Sequence, residues 1–199
     1  HYNGRECFVH ARACAFDRNH LVMTMQPLTV AGNDAFSGIY TLLSKDGGRT
    51  WSQPKKDAAF APRKTENGLI CVPSDAAHIF VRSTGTALCV CHQVYYEPGG
   101  LSPVGGQKRL CMYSTFDEAA GAYRPIKTVD IPSEFRFGAA AGSAQFAETD
   151  SGDILIPVYT RCNSGSHMIS FVIRCGFDGE TLRLLAVGGV TERQTGRGL

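Results

Sequence analysis

Short apolar runs separated by turn residues dominate the hydrophobic pattern of this chain. Three such runs each follow a turn and have the same character, at residues 19–25, 85–91 and 152–158. The segment before each turn is also strand-like, at residues 11–16, 78–82 and 143–147. No apolar repeat of about 3.6 residues is sustained anywhere, which argues against helices. The pattern therefore predicts three hairpins of β-strands.

The hairpins recur at a fixed spacing. Leu21, Leu88 and Leu155 occupy matching positions, since 88 − 21 and 155 − 88 both equal 67. A third strand-like run follows each hairpin, at residues 39–44, 109–114 and 170–174. A long period with about four strands per unit is typical of β-propeller blades. We therefore predict blade units at residues 8–62, 75–132 and 141–192.

The predicted fold is all-β, a β-propeller of four-stranded antiparallel blades, with about three blades present. Propellers have about 4–8 blades, and three cannot close into a ring without exposing an apolar sheet face. We therefore expect the remaining blades in cis or from another chain. A compact β-sandwich with chance periodicity is the alternative.

Charge and composition exclude several classes. The 20 Lys and Arg residues nearly balance 18 Asp and Glu, so no nucleic-acid or membrane surface is predicted. No apolar stretch reaches the ~18 residues of a membrane span, and no signal segment is visible. The chain begins with His1, however, so a leader removed earlier stays possible.

The eight cysteines are interpreted as small buried hydrophobes, because most lie in apolar strand-like runs. A zinc site is less favoured, since no Cys-x-x-Cys motif occurs. The spacing supports no disulfide framework.

One turn has a specific sequence. Between residues 44 and 51, five residues have fixed chemical roles: Ser44, Asp46, Gly48, Thr50 and Trp51. The Asp and Thr side chains bond local backbone, glycine supplies positive φ, and Trp is an apolar anchor. Asp117 with Tyr123, and Asp178 with Leu182, are partial copies downstream.

This turn resembles the Asp-box of the sialidase (neuraminidase) superfamily, which lies at the outer rim of propeller blades. The resemblance implies the N-terminal half of a six-bladed propeller. It also implies an exo-acting, retaining hydrolase of a terminal anionic sugar, with a glycan or small sugar as its substrate and no cofactor. A secreted or periplasmic location is favoured by the resemblance alone.

Arg12 lies on the first strand between small residues. A buried cation requires an anion, so we expect either a substrate carboxylate, an internal salt bridge or an outward-facing side chain. Sialidases use an arginine on this strand to grip the sugar carboxylate. The following residues, Ala13 and Cys14, differ from the Ile-Pro common in that family, which leaves a hydrolase of another sugar open.

Asp34 is the one carboxylate in the loop at residues 26–36. Small and apolar neighbours favour a raised pKa, which suits a general acid. The resemblance implies that Asp34 is the acid/base residue, because sialidases place theirs in this loop. The alternative is a turn aspartate that bonds its own backbone.

Further candidate substrate-binding residues lie at matching positions of the second and third units: Asp75, His78, Gln145 and Arg161, with Ser143 beside them. His78 has a structural alternative as a satisfied core histidine. Residues 91–97 offer aromatic platforms for sugars. The resemblance implies that the Tyr nucleophile, its Glu and two more arginines lie beyond Leu199. A second functional hypothesis is a non-catalytic propeller that binds glycan or protein.

Overall fold

The structure is a computed structural model that describes residues 2–142, 145–165 and 167–192. It contains three antiparallel sheets. The first sheet contains β1 (Glu6–Ala15), β2 (Leu21–Thr29), β3 (Ala35–Phe36), β4 (Tyr40–Ser44) and β5 (Lys55–Lys56). The second contains β6 (Arg63–Lys64), β7 (Ile70–Val81), β8 (Thr86–Tyr96), β9 (Met112–Asp117), β10 (Ala122–Tyr123) and β11 (Lys127–Thr128). The third contains β12 (Ala147–Glu148), β13 (Ile154–Arg161), β14 (Met168–Phe177), β15 (Leu182–Val187) and β16 (Thr191–Glu192).

Each sheet is a meander of neighbouring strands. The main orders are β1-β2-β4-β5, β7-β8-β9-β10 with β6 beyond β7, and β12-β13-β14-β15. A 3₁₀ turn, Ala58–Phe60, follows the first sheet. The all-β, antiparallel fold class is confirmed. Among the described residues, no helix is long and apolar enough to cross a membrane.

The innermost strands differ from the prediction. β1 begins at Glu6 and β7 at Ile70, several residues earlier than the apolar pattern indicated. Each of these strands contains a bulge, between Val9 and Arg12 in β1 and between Ser74 and Ala77 in β7. A bulge inserts an unpaired residue and re-aims its side chain, which is why the polar stretch at Asp75 lies inside a strand. Residues 143 and 144, including Ser143, lie outside the described residues.

Two apolar layers join the three sheets. Alternate residues of β8 face opposite layers, as the period of a strand requires. Cys89 packs with Val22 and Phe60 between the first and second sheets. Leu88 packs with Ile156 and Ile173 between the second and third sheets. The continuous apolar run of β8 is therefore explained by burial on both faces.

Seven of the eight cysteines are buried, Cys7 is half-buried, and none of these described cysteines forms a disulfide. Burial raises the pKa of Cys14 to about 11 and that of Cys175 to about 12. These side chains are therefore protonated apolar packing groups at neutral pH.

The turn after β4 is closed by its own side chains. Asp46 accepts hydrogen bonds from the Thr50 backbone N–H (2.9 Å) and hydroxyl (2.6 Å), and the Ser44 hydroxyl also donates to it (2.9 Å). The Trp51 indole donates to the Gly48 carbonyl (3.1 Å). The Thr50 bonds are the largest cause that lowers the pKa of Asp46 to about 2.

The turns after β9 and β14 have the same kind of aspartate. Asp117 accepts from the Ala120 N–H at 3.1 Å, and Asp178 accepts from the Thr181 N–H at 2.7 Å. All three turns therefore lie after the third main strand of a sheet.

Candidate functional site

Backbone strain marks one region of the molecule. Among the described residues, three non-glycine residues have positive φ: His10 (54°), Asp34 (51°) and Asp75 (61°). Histidine and aspartate enter this conformation more readily than most residues, but at a cost that the surrounding structure must offset. The inner-strand bulges and the loop after β2 therefore share a feature common at functional sites.

His10 and Asp75 face each other across the first and second sheets. Nδ1 of His10 lies 2.7 Å from Oδ1 of Asp75, and their side chains are 30% and 14% exposed. The other oxygen, Oδ2, lies 3.7 Å from Nε2 of His92. Asp75 thus has one imidazole on each side of its carboxylate.

Ala141, which precedes the third sheet, holds the ring of His92 in place. Its Nδ1 lies 2.8 Å from the Ala141 carbonyl oxygen, which can only accept a hydrogen bond, so Nδ1 carries the proton. The ring is 1% exposed. Burial is the main cause that lowers the pKa of His92 to about 4, and Asp75 acts in the opposite direction.

The Asp34 loop is tied to the second sheet. The Tyr96 hydroxyl donates to the Asp34 carbonyl at 2.5 Å, and the Asn33 N–H donates to the Leu101 carbonyl at 2.8 Å. Next along the loop, the Phe36 ring packs against His10, with 5.2 Å between ring centroids. Asp34 itself is exposed, so the apolar surroundings expected for its carboxyl group are not present.

A pocket of about 140 Å³ opens between the second and third sheets. Two tyrosines and two arginines line it: Tyr95, Tyr159, Arg109 and Arg161. The Arg161 guanidinium donates to the Gly165 carbonyl at 3.1 Å. Burial is the largest cause that raises the pKa of Tyr159; Arg109 acts to lower it, and Asp75 and Asp34 act to raise it. The charges of both carboxylates therefore affect Tyr159, which forms part of the wall of this pocket.

Arg109 is positioned by backbone contacts from the segment between the second and third units. Its N–H donates to the Phe137 carbonyl (2.9 Å), and its own carbonyl accepts from Ala139 (3.0 Å). The side chain is half-buried. Within the part of the chain that the structure describes, no carboxylate forms an ion pair with it.

The structure gathers Asp34, Asp75 and Arg161 around this region, but Arg12 and His78 lie elsewhere. Arg12 donates to the Ala76 carbonyl (3.1 Å), toward the layer between the first and second sheets. Both ring nitrogens of His78 are buried, and its ring packs 5.8 Å from that of Tyr123. Burial, followed by Arg12, lowers the pKa of His78 to about 3.

Gln145 is exposed and precedes β12. The substrate-binding roles of Arg12, His78 and Gln145, like the roles of Asp34, Asp75 and Arg161, stay predictions. Across the described ranges 2–142, 145–165 and 167–192, no group of three His, Cys, Asp or Glu side chains could hold a metal ion.

Sequence reasoning gave no individual role to four residues of the site: His10, His92, Arg109 and Tyr159. His10 had one usable signal, because it precedes Asp75 by nearly one repeat. His92 lies within residues 91–97, which the sequence offered as sugar platforms, and Tyr159 lies near the end of the second main strand of its unit. Arg109 carried no signal, since its position depends on the contacts with residues 137–139.

Comparisons with known proteins agree with this fold. No family model matches the sequence, and no curated protein matches it. A solved Hadza microbial sialidase is 13% identical, with a TM-score of 0.65 over 92% of this chain and 38% of its own length. A polysaccharide lyase of a new family, an ulvan lyase, is 12% identical, with a TM-score of 0.61 over 96% of this chain and 45% of its own.

The chain therefore has the β-propeller fold of these structures, and it spans less than half of the length of either. A sialidase and a polysaccharide lyase therefore both resemble this chain in fold, at low sequence identity.

Proposed function

We propose that this chain is part of a carbohydrate-active enzyme that acts on an anionic sugar. The half-buried Arg109 carries the proposal, because no described carboxylate pairs with it. A guanidinium held away from water is stabilised by an anion that accepts its forked hydrogen bonds. Arg161 lines the same pocket, so both guanidinium groups contact the same bound ligand.

The tyrosines of the pocket support a sugar ligand. Tyr95 and Tyr159 line it beside the arginines, and aromatic rings combine a flat apolar face with a polar hydroxyl. A sugar ring offers the matching pattern of C–H faces and hydroxyl edges. The carboxylate or sulfate of that sugar then meets the arginines.

The first candidate reaction is retaining hydrolysis of a terminal anionic sugar. Asp34 would protonate the leaving oxygen and later activate water. We assign the carboxylate contact to Arg109 and Arg161 in place of Arg12, because Arg12 donates to Ala76 in another layer. The hydrogen bonds of the turn at residues 44–51 support its assignment as an Asp-box.

The second candidate is β-elimination from an acidic polysaccharide. The pair His10–Asp75, the phenol of Tyr159 and the cation Arg109 favour it, as does the name of the lyase with a similar fold. A base would take the proton beside the sugar carboxyl group while the neighbouring carbon–oxygen bond breaks. A double bond forms in the sugar, and the leaving oxygen is protonated.

We also propose that further blades, in cis or from another chain, complete the ring. The outer face of the third sheet supports this, since Val172 and Leu185 are 41% and 57% exposed there. A groove of about 390 Å³, lined by Pro157, Tyr159 and Val172 among others, crosses the same face. An apolar sheet face of this kind is the surface on which a neighbouring blade packs.

Binding of acidic and neutral oligosaccharides to the chain tests the proposed function. Sialyllactose, an oligouronate and a neutral oligosaccharide are compared by calorimetry with wild type, Arg109→Gln and Arg49→Gln. Arg49 is exposed on the outer turn and is the matched control. We expect Arg109→Gln to weaken the binding of acidic sugars at least about tenfold, because the variant loses one charge-assisted hydrogen bond. Equal affinity for neutral and acidic sugars would contradict the proposal.

Turnover separates the two reactions. A fluorogenic sialoside reports hydrolysis, and ultraviolet absorbance of an unsaturated uronate reports elimination, each with the chain and with any longer protein that contains it. Acidic binding without either signal supports the non-catalytic propeller instead.

A further inference from the structure

One backbone position recurs in all three units with a different residue each time. His10, Asp75 and Gly142 are separated by about one repeat, and their φ values are 54°, 61° and 92°. Glycine has no penalty in this conformation, whereas His and Asp do. The third unit therefore has the relaxed residue, and the first two have strained residues that contact each other.

The contact between these two residues orients an imidazole. Nδ1 of His10 is buried and lies 2.7 Å from Asp75 Oδ1, although the angles between the two groups are not those of a hydrogen bond. A carboxylate oxygen has lone pairs and no proton, so at this distance it favours a proton on the ring nitrogen that faces it. Nε2 then has a free lone pair on the exposed side of the ring.

The surroundings hold both partners in place. The Phe36 ring packs on His10, and Gln26 Oε1 accepts from the Asp75 N–H at 3.4 Å. His92 closes the far side of the Asp75 carboxylate. Further charged or titratable groups that interact with this region come from neighbouring elements: Arg109, Tyr159, Tyr96, Asp34 and Cys91.

We propose that His10 is a catalytic acid–base residue of this site and that Asp75 is the residue that positions it. The inference rests on the proposed function. In the elimination reaction, Nε2 of His10 takes the proton from the carbon beside the carboxyl group of the bound sugar, while a carbon–carbon double bond forms and the neighbouring carbon–oxygen bond breaks. Asp75 stabilises the resulting imidazolium, and the same proton then passes to the leaving oxygen or to solvent, so no proton is gained or lost overall.

The tautomer of His10 is measured first, by nitrogen NMR of the imidazole in the full chain. We expect the proton on Nδ1 in wild type and a mixed tautomer in Asp75→Asn. The exposed pair His20–Asp17, also at 2.7 Å, is the internal control and keeps its signal in both. A proton on Nε2 of His10 in wild type would overturn the proposal.

Turnover is measured next, on whichever acidic substrate the screen identifies. Asparagine tolerates positive φ, so His10→Asn and Asp75→Asn preserve the backbone, and His20→Asn is the matched control. We expect kcat to fall at least about a hundredfold in His10→Asn with KM within about twofold. Asp75→Asn is expected to lower kcat less and to shift the acid limb of its pH profile.

The outcomes separate the two proposals. Equal kcat in His10→Asn and His20→Asn overturns the role of His10 but leaves the anionic ligand intact. Tight binding of an acidic sugar without any turnover also overturns the role of His10 and leaves the anionic ligand intact. If the wild-type chain binds acidic and neutral sugars equally well, the proposed function is overturned and, with it, the role of His10.

Discussion

The hydroxyl of Tyr96, in the second sheet, donates a 2.5 Å hydrogen bond to the carbonyl of Asp34, in the first. The same hydroxyl accepts from the Phe36 N–H at 3.2 Å. Two backbone groups of the Asp34 loop thus share one side chain as their partner. The position of the Asp34 carboxyl group therefore depends on the neighbouring sheet as well as on its own.

Replacing Tyr96 by Phe removes this partner. The Asp34 carbonyl and the Phe36 N–H lose a hydrogen bond, so we expect the free energy of unfolding to fall by about 1–2 kcal/mol. Urea denaturation measures the change. Tyr40→Phe is the control, since the Tyr40 hydroxyl has no hydrogen bond to any described residue. Equal losses in both variants would contradict the prediction.

Gly142 lies where a side chain would collide with the Asp75 carbonyl, and its φ is 92°. We expect Gly142→Ala to lower the free energy of unfolding by at least about 2 kcal/mol. Gly68→Ala is the matched control, because φ is 86° there with no atom within 4 Å of the added carbon. Strain alone costs about 1–2 kcal/mol, so the difference between the variants measures the collision.

Acid is expected to destabilise the fold through two buried histidines. The pKa of His92 is lowered from 6.5 to about 4 and that of His78 from 6.5 to about 3. Between these values the unfolded chain binds more protons than the folded one, so stability falls as pH falls. The loss begins below about pH 6.5 and continues to pH 4 for His92 and to pH 3 for His78.

His78→Phe tests the larger of these two effects. One pKa unit corresponds to about 1.4 kcal/mol, and Phe lacks the titrating group while keeping the ring beside Tyr123. We expect a flatter dependence of urea midpoint on pH. The exposed His20 provides the control His20→Gln, which should keep the wild-type slope above about pH 4, the range in which the lowered pKa of Asp17 has no effect. Parallel curves for His78→Phe and wild type would exclude this role.

The fold is predictable from sequence because it depends on local patterns. The spacing of Leu21, Leu88 and Leu155 and the turn signals between them suffice for antiparallel blades. The site depends on longer-range contacts. A bulge turns His10 toward Asp75, and alternation of apolar and polar residues does not reveal a bulge. Arg109 is positioned by residues 137–139, a contact that no local signal encodes.

Asp46→Ala is expected to destabilise the turn after β4 without changing glycan binding. The variant leaves the Thr50 N–H and hydroxyl without their acceptor. Because the pKa of Asp46 is lowered to about 2, its contribution is present above pH 3.8 and is lost as pH falls toward 2. We expect the urea midpoint of the variant to lie below that of wild type at pH 7 and to equal it at pH 2. Asp150→Ala, an exposed turn residue, is the control.

The recurring position at His10, Asp75 and Gly142 separates the geometry of the molecule from its chemistry. Repetition gives each unit a backbone position with positive φ, whichever residue it carries. The side chain there is an imidazole, a carboxylate or none, and in the first two units the position lies in a strand bulge. The repeat therefore fixes where the backbone departs from regular strand geometry, and the residue placed there decides whether that position can take part in chemistry.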